Sequence, residues 1–588
     1  MKTHRIGIII VVAVATPFAA CNTYVVLPES TNECADGEKN GSESDIDCGG
    51  DICAKCVVDS SCAEGSDCAV GQCIKNICTV SCTPGAMQSC YGGSDDTLDQ
   101  GICAAGTQTC SADGAGFGPC DGEVLPEPLE SCATADDDDC NGKATCDGAA
   151  LWSNAWGSTN TDVGRRVVAD ANDNVYVASW LGGAVNFGGG PRTPSFPAAP
   201  DIVIVKYDPA GTYVWDRLLT ATNGFSLYSF DLGIDGDGSL YVTGGFSGSL
   251  DFHGTCRKLD NGNDPAFTTF LAKLDASGVC TWAKSFGDGT ATHYASGVRV
   301  SPAGEILLIG EFDGAITLGS TTLSSQGQND AFVAKLDAAG SPVWAKSFGG
   351  PENDSADAAF DSQGGVVVYG NFQGSALLDG ESKTSAGLRD LFLGKYSPDG
   401  VKLWLEPAGD AGDQHQARVL VEPESDNIVL TGWTVGSFNF GESITGNDPY
   451  RTIFALKMGP DKSWLWGKPF PGGTDEANNA ALDPLGNLIF VGISTGGTDF
   501  GGGPLPYPAI VVKLDPQGEH VWSNSYGGAG VSSPLGLTAD THGNTIFTGT
   551  FDTAIELGRE SYVAKPGADP CPAPFLGCGD AFVAKLGP

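Results

Sequence analysis

Positive charge is scarce in this chain. Thirty-one lysines and arginines stand against 72 aspartates and glutamates, a formal net charge of −41 over 588 residues. A surface of that sign repels phosphodiesters and anionic headgroups, which excludes nucleic acid and direct adsorption to an anionic membrane. Histidine is rarer still: there are six, with none between His4 and His253. The zinc-protease pattern His-Glu-x-x-His and the phosphate loop are both absent, so neither chemistry has a sequence signature here. After residue 150 no window carries a 3.6-residue apolar stripe, which excludes a helical fold for the larger part of the chain.

What that part does contain is a beat. Trp152, Trp215, Trp282, Trp344, Trp404, Trp466 and Trp522 follow one another at intervals of 56–67 residues. The last six each stand nine residues after a lysine: Lys206, Lys273, Lys335, Lys395, Lys457 and Lys513. Lys585 has no tryptophan after it, and Trp152 has no lysine before it. Complementary halves of one unit at the two ends of an array are what a closed ring requires.

One unit, residues 298–349, holds four strand-like runs: VRV, EILLIGEF, DAFVAKLD and PVWAKSF, punctuated by Gly, Asp, Asn and Pro. Four short strands at a fixed period of this length are the signature of a β-propeller, in which each sheet buries its two apolar faces against its neighbours. The expected fold is all-β and seven-bladed. Residues 151–157 enter on a fourth strand, 580–586 leave on a third, and the two pair to close the ring. The recurring tryptophans read as blade-to-blade packing. The Asp-x-x-Gly turns at Asp208, Asp275, Asp337 and Asp515 resemble sialidase Asp-boxes, but the spacing to tryptophan is one residue too long and turn chemistry accounts for them. Asp235-Gly-Asp237-Gly reads as a tight turn rather than a calcium loop, since it lacks a distal glutamate.

The front quarter is of another kind. Residues 1–20 have a basic head and an apolar core (Ile6–Ala15) too short to span a bilayer, as expected of a signal peptide. Phe18-Ala19-Ala20-Cys21 then reads as a lipoprotein cleavage site, with Cys21 the lipidated residue and 21–33 a short tether. Asn22 after it follows the pattern of outer-membrane sorting. Of 21 cysteines, 16 crowd residues 34–146, four lie in the repeats, and Cys21 is the odd one left over. Residues 34–148 have too few large apolar side chains for a core, so disulfides in an oxidising compartment take its place. Zinc is the other reading of Cys53-x-x-Cys56, but no histidine and no second pair at zinc-finger spacing accompany it. Residues 22–150 carry 24 acidic and four basic side chains, about half of the net charge. Cys571 and Cys578 bracket a six-residue insert and read as a local disulfide; Cys256 and Cys280 pair by elimination.

The repeat pattern D-x-x-G-N-x-x-x-x-G, a glycine-rich stretch, then D-x-F-V-x-K-L-D-x-x-G-x-x-x-W resembles the SBBP β-propeller repeat of secreted bacterial proteins. It covers residues 151–588 and departs at Met458-Gly459, where Leu-Asp is usual. The stretches 34–56 and 101–142 resemble cysteine-rich leader and metal-binding modules of δ-proteobacterial lipoproteins. The resemblance implies a stalk carrying a propeller over 149–588. The acidic run Asp136, Asp137, Asp138 and Asp139 is either a calcium site or a solvated turn; no other cofactor is indicated.

The fourth-to-first and second-to-third connections are long, glycine-rich and variable, so their end of the propeller is the expected working face. Aligning the repeats at the entry to the first strand collects Asp162, Tyr228, His293, Asp354, His415, Asp475 and Ser533. These form either a channel-mouth site for a metal or polar ligand, or a solvated rim. Trp180 and Trp433 are ligand-stacking candidates or channel-wall packing. The other histidines, His253, His520 and His542, show no serine or cysteine nucleophile context. The expectation drawn from this is a monomeric, lipid-anchored envelope or surface protein, periplasmic or outward-facing. Its propeller binds a glycan, extracellular polymer or protein without catalysis, and it meets the membrane through its lipid alone. The alternatives are an extracellular polysaccharide lyase or glycosidase working at the channel mouth, and a purely structural envelope component.

Overall fold

The computed structural model describes residues 33–588 apart from 36, 51–52, 70, 128–135, 139, 141–145, 196–200, 223–226, 263–265, 288–290, 448, 496, 529 and 566–578; at 33, 222, 227 and 228 the backbone alone is described. Cys21, Asp139, Cys571 and Cys578, together with the signal peptide, lie outside the described residues. The chain divides into two compact units between Pro126 and Glu127. The sequence reading drew that line between 148 and 149.

In the first unit, bridges replace a core. Cys34–Cys53, Cys48–Cys56, Cys62–Cys73, Cys68–Cys78, Cys82–Cys110 and Cys90–Cys120 are formed. Cys103 is also disulfide-bonded, as are Cys140 and Cys146 in the second unit. Among the described residues, regular structure amounts to two single 3-10 turns, Glu33–Ala35 and Gly65–Asp67, and two short hairpins, Gln72–Ile74 with Ile77–Thr79 and Met87–Cys90 with Gly106–Thr109. Asp67 gathers the loops around it. Its carboxylate accepts hydrogen bonds from the Ser44 hydroxyl and from the Gly50, Ala63 and Glu64 amides, which hold its carboxyl well below the usual range.

The second unit is a succession of four-stranded antiparallel meanders. The first comprises Val163–Ala169, Val175–Leu181, Asp201–Tyr207 and Tyr213–Thr222. Five more follow in chain order, opening on Leu227–Ile234, His293–Val300, Ser355–Phe360, Asp413–Val421 and Asp475–Leu482. The seventh takes Ser532–Ala539, Thr545–Phe551 and Asp580–Leu586 and completes itself with Ala150–Trp156, so that Lys585 pairs across to Trp152. No α-helix occurs among the described residues. The second and third strands of each sheet are the apolar ones, and their sheet-forming cores are buried: all seven residues of Asp330–Leu336 are, although in the fourth sheet the two strands run on into an exposed hairpin. Each large side chain in such a strand contributes about 1.5–3 kcal/mol through burial.

The two marker residues turn out to have different jobs. The lysine of each third strand pairs with a carboxylate in the first-to-second turn of its own sheet: Lys273 with Asp235 (2.9 Å), Lys335 with Glu305 (3.0 Å), Lys513 with Asp483 (2.9 Å), Lys585 with Asp540 (2.6 Å). Lys206, Lys395 and Lys457 meet Asp170, Asp361 and Glu422 in the same way. The aspartate also accepts the amides two and four residues on, as Asp483 does from Leu485 and Asn487, which is the Asx turn that D-x-x-G-N encodes. Asp235 is such a turn, its second oxygen taken by Lys273.

The tryptophan of each fourth strand lies on the third-to-fourth turn of the next sheet. Trp152 covers Gly211, Trp215 covers Gly278, Trp282 covers Gly340, Trp344 covers Gly400 and Trp466 covers Gly518. Trp522 of the sixth sheet packs on Gly148 and donates to the Pro588 carbonyl, beside the closing strand of the seventh. In the fifth sheet, where the motif departs, Lys462 replaces the glycine at φ 71° and its ammonium lies 5.6 Å over Trp404. Seventh and first sheets also meet through Thr541, whose amide and hydroxyl both donate to Asp173. The sheets therefore run round into a ring.

Several second-to-third connections fold back as small hairpins, such as Ala315–Leu318 with Thr321–Ser324 and Ala554–Leu557 with Glu560–Val563. Cys256 and Cys280 form a bridge that ties one of these connections to the fourth strand of the second sheet.

Candidate functional site at the channel mouth

The first strands of the sheets line the middle of the ring, and strand register decides which side chains reach it. Most first strands carry a bulge near their start, for example between Gln416 and Arg418 or Ala477 and Asn479. The seven residues aligned from sequence nevertheless fall on two levels, because that alignment slips by one residue between sheets that carry the same bulge. Counted from the turn shared with the second strand, Asp162, His293, Asp354 and Asp475 occupy one level, together with Gln414 and Ser532. Tyr228, His415 and Ser533 occupy the next, with Tyr294, Ser355 and Glu476. Because neighbours on a strand point to opposite faces, the two levels have different surroundings.

The first level is structural. Asp354 is 1% exposed and accepts the Gly350 amide (2.7 Å) and the Gln373 amide (3.0 Å), tying the chain's entry into the sheet to its second-to-third connection. Asp162 does the same with Ser158 and Gly182, and Asp475 with Thr495 and Thr498. Burial pushes the Asp354 carboxyl up to about 7, against those amide bonds. His293 is fully buried, its Nε2 2.8 Å from the Ala315 carbonyl. Asp354 nonetheless lines the cavity at the mouth, whereas the expectation that His293 stands at an open mouth is corrected, since its side chain is fully buried between strands. The side chain of Tyr228 lies outside the described atoms.

Ser355, His415 and Glu476 of the second level, with Asp354 of the first, line a cavity of about 490 Å³ at the end of the ring that carries the long connections. Its walls include Glu311, Asn371, Arg389, His415, Gln416 and Glu476. His415 pairs across the strand with Trp433, and the two rings stack at 5.3 Å and 5°. Its Nδ1 lies 2.7 Å from the Gln416 carbonyl, which only accepts, so Nδ1 carries the proton and Nε2 the lone pair. Burial, with the Arg389 guanidinium next, lowers the imidazole to about 4 and keeps it neutral at physiological pH. The Glu311 carboxyl in the same lining accepts a hydrogen bond from the Tyr294 hydroxyl (2.6 Å), and burial pushes it up.

Neither tryptophan is an open stacking platform. Trp433 is 5% exposed, and Arg389 and Arg451 lie 5.2 and 4.4 Å over its ring in addition to His415. Trp180 is half-buried beneath Arg165 (4.8 Å) and edge-on to Phe230. Arg389 is held by both oxygens of Asp413 (2.8 and 2.7 Å), and Arg451 pairs with Glu476.

Two serine arrangements escaped the sequence reading. Ser494 stands in a Gly-x-Ser-x-Gly run, but it is buried and donates to Thr498 (2.9 Å). His520 does have a serine partner, Ser523 at 3.0 Å. Tyr213 and Asp216 make the same contact at the same place in the first sheet, which marks it as a packing position. Of the acidic run, Asp137 is buried, Asp138 half-buried and Asp136 exposed, and the Asp138 carbonyl accepts the Glu127 amide.

No family model matches the chain. It is similar to an uncharacterized WD repeat-containing protein of Acanthamoeba polyphaga mimivirus, at 22% identity over 69% of this chain and 36% of that protein. A second relative is the regulatory protein FlaEY of Caulobacter vibrioides, at 28% identity over 36% of this chain and 22% of that one. The chain thus spans about a third or less of the curated relatives it matches. Solved structures similar to it include a protein of unknown function from Dyadobacter fermentans (11% identity, TM-score 0.38, 75% of this chain and 99% of that one). Another is a polysaccharide lyase described as an ulvan lyase (11% identity, TM-score 0.35, 70% of this chain and 96% of that one). This is a repeat-rich, all-β protein with a WD-repeat relative and propeller-like neighbours. The expectation that the chain is not an enzyme is corrected here, because polysaccharide lyases stand among the structures it is similar to. At these identities and TM-scores the likenesses transfer no activity and no residue roles.

Proposed function

We propose that the second unit is a seven-bladed β-propeller that cleaves an extracellular polysaccharide at the channel mouth. The observation that carries this is His415: a neutral imidazole in the wall of a polar cavity, with its lone pair on Nε2 and its tautomer set by the Gln416 carbonyl. A fixed lone pair of this kind is the group that elimination needs. Nε2 takes the proton from the carbon beside a sugar carboxylate, a C=C bond forms as the C–O bond to the leaving sugar breaks, and that oxygen collects a proton from an acid in the same cavity. We assign that second role to the Glu311 carboxyl, which lines the cavity and which burial raises. An imidazole at about 4 is a weak base, but an anionic substrate beside it raises it toward the working range.

In this reading the chain is exported, lipidated on Cys21 and displayed from the outer membrane, its disulfide-rich first unit acting as the stalk. The bridges support an oxidising compartment. The test is turnover: purified protein is incubated with neutral, uronate-bearing and sulfated polysaccharides, following both unsaturated-product absorbance and new reducing ends. Release of unsaturated product that His415→Ala abolishes is the expected result. Cleavage that survives His415→Ala, or reducing ends without unsaturation, overturns the assignment.

A further inference from the structure

Below the mouth, charged side chains cross the ring in sequence. Arg166 of the first sheet bonds Asp231 of the second (2.7 Å); Arg299 of the third bonds both Asp231 (2.7 Å) and Asp357 of the fourth (2.6 Å). Arg418 of the fifth sheet ends the ladder at a longer 3.5 Å from Asp357. Both carboxylates are already well served, since each also accepts a backbone amide, from Val298 and Val419. Three guanidinium groups therefore share two carboxylates, and the excess falls on Arg418. Its Nε is buried and has no hydrogen-bond partner among the described atoms. The sixth and seventh sheets put Asn479 and Gly536 at this level, so no third carboxylate closes the ring. Arg418 lines both the mouth cavity and a second cavity of about 620 Å³ on the other side of the ladder.

A buried guanidinium edge left without an acceptor is costly, and a planar or tetrahedral oxyanion satisfies it. We infer that Arg418 is an oxyanion-binding residue, and that the polysaccharide reaches the floor of the mouth cavity with a carboxylate or sulfate ester bound there. This rests on the proposed glycan function for the identity of the ligand, but not for the existence of the site.

The experiment uses the full mature chain and inorganic sulfate as probe, titrated against chloride at constant ionic strength and read by calorimetry and by melting temperature. Sulfate is expected to bind and to raise the melting temperature. Arg418→Met should weaken it by about tenfold or more, Arg418→Lys by less, and Lys468→Met on the outer surface not at all. Glucuronate and a sulfated monosaccharide, competing against sulfate, then identify which oxyanion the floor prefers, with glucose as the neutral control. No sulfate binding by the wild type, unaltered binding by Arg418→Met, or equal displacement by glucose would each overturn the inference. Because binding is read without turnover, an inactive protein that still binds sulfate through Arg418 refutes the lyase reading alone.

Discussion

The contact between each tryptophan and the next sheet's turn can be measured with two glycines. Gly400 and Gly380 have nearly the same backbone, φ +81° and +80°, so alanine at either meets the same left-handed penalty of about 1–2 kcal/mol. Their surroundings differ. A methyl group on Gly380 has nothing within 4 Å, whereas on Gly400 it stands 2.7 Å from Cγ and 2.9 Å from Cδ1 and Cδ2 of Trp344. Those atoms are the root of the indole, and the ring is fixed at its far side by an Nε1 bond to the Pro398 carbonyl (3.1 Å). The ring cannot swing away, so Gly400→Ala adds an overpacking cost of about 1–3 kcal/mol that Gly380→Ala lacks. Every tryptophan of the chain lies at or after residue 152, so denaturant unfolding followed by tryptophan fluorescence reports only the sheet-bearing unit. In a Trp344→Ala background the gap between the two glycine variants should close. If Gly400→Ala is no worse than Gly380→Ala in the wild type, the inter-sheet packing described here is wrong.

Three other outcomes follow from the same geometry. Lys513 and Asp483 are each 1% exposed, so Lys513→Met leaves a buried carboxylate unpaired and costs about 3–5 kcal/mol in urea unfolding; adding Asp483→Leu should recover part of it. Burial raises Asp330 and Asp580 to about 6 and Asp354 to about 7. The folded state then holds these protons after the unfolded chain has lost them. Their contribution is full below about pH 4 and is lost as pH rises through 6–7, and Asp330→Asn should flatten the decline in melting temperature over that window. If His415 is the base, kcat/KM falls on the acid side with a limb near pH 4, and a limb unchanged in His415→Gln would exclude it.

Much of the fold was legible because the repeat is a sampling of one structure seven times over. The lysine–tryptophan interval marks the third and fourth strands wherever it occurs, and the terminal halves Lys585 and Trp152 do pair across the closing strand. The sequence did not show that the lysine is an ion-pair partner, since its carboxylate lies in a turn 30–45 residues upstream and is an aspartate in some repeats and a glutamate in others. Nor did it show the bulges. A bulge adds one residue without changing composition or periodicity, yet it moves a side chain to the opposite face. A one-residue slip of the alignment between sheets, not the shared bulge, is what put His293 at the level of His415; Asp354 also sits one level away, yet it lines the same cavity as His415.

The separation explains where chemistry can sit on such a scaffold. Positions that do one mechanical task in several sheets keep one kind of residue: aspartate at the sheet entry, lysine in the third strand, tryptophan in the fourth. One residue further along the first strand the types scatter, as Val163, Tyr294, Ser355, His415, Glu476 and Ser533. That level carries no shared mechanical task, so each sheet is free to place a different functional group on the cavity wall. The arginine ladder below it has the same character, with Arg166, Asp231, Asp357, Arg418 and Asn479 at one level of five different sheets. Asymmetry within a symmetric ring is therefore the guide to the site, and it leads to His415 and Arg418 rather than to the tryptophans that first announce the repeat.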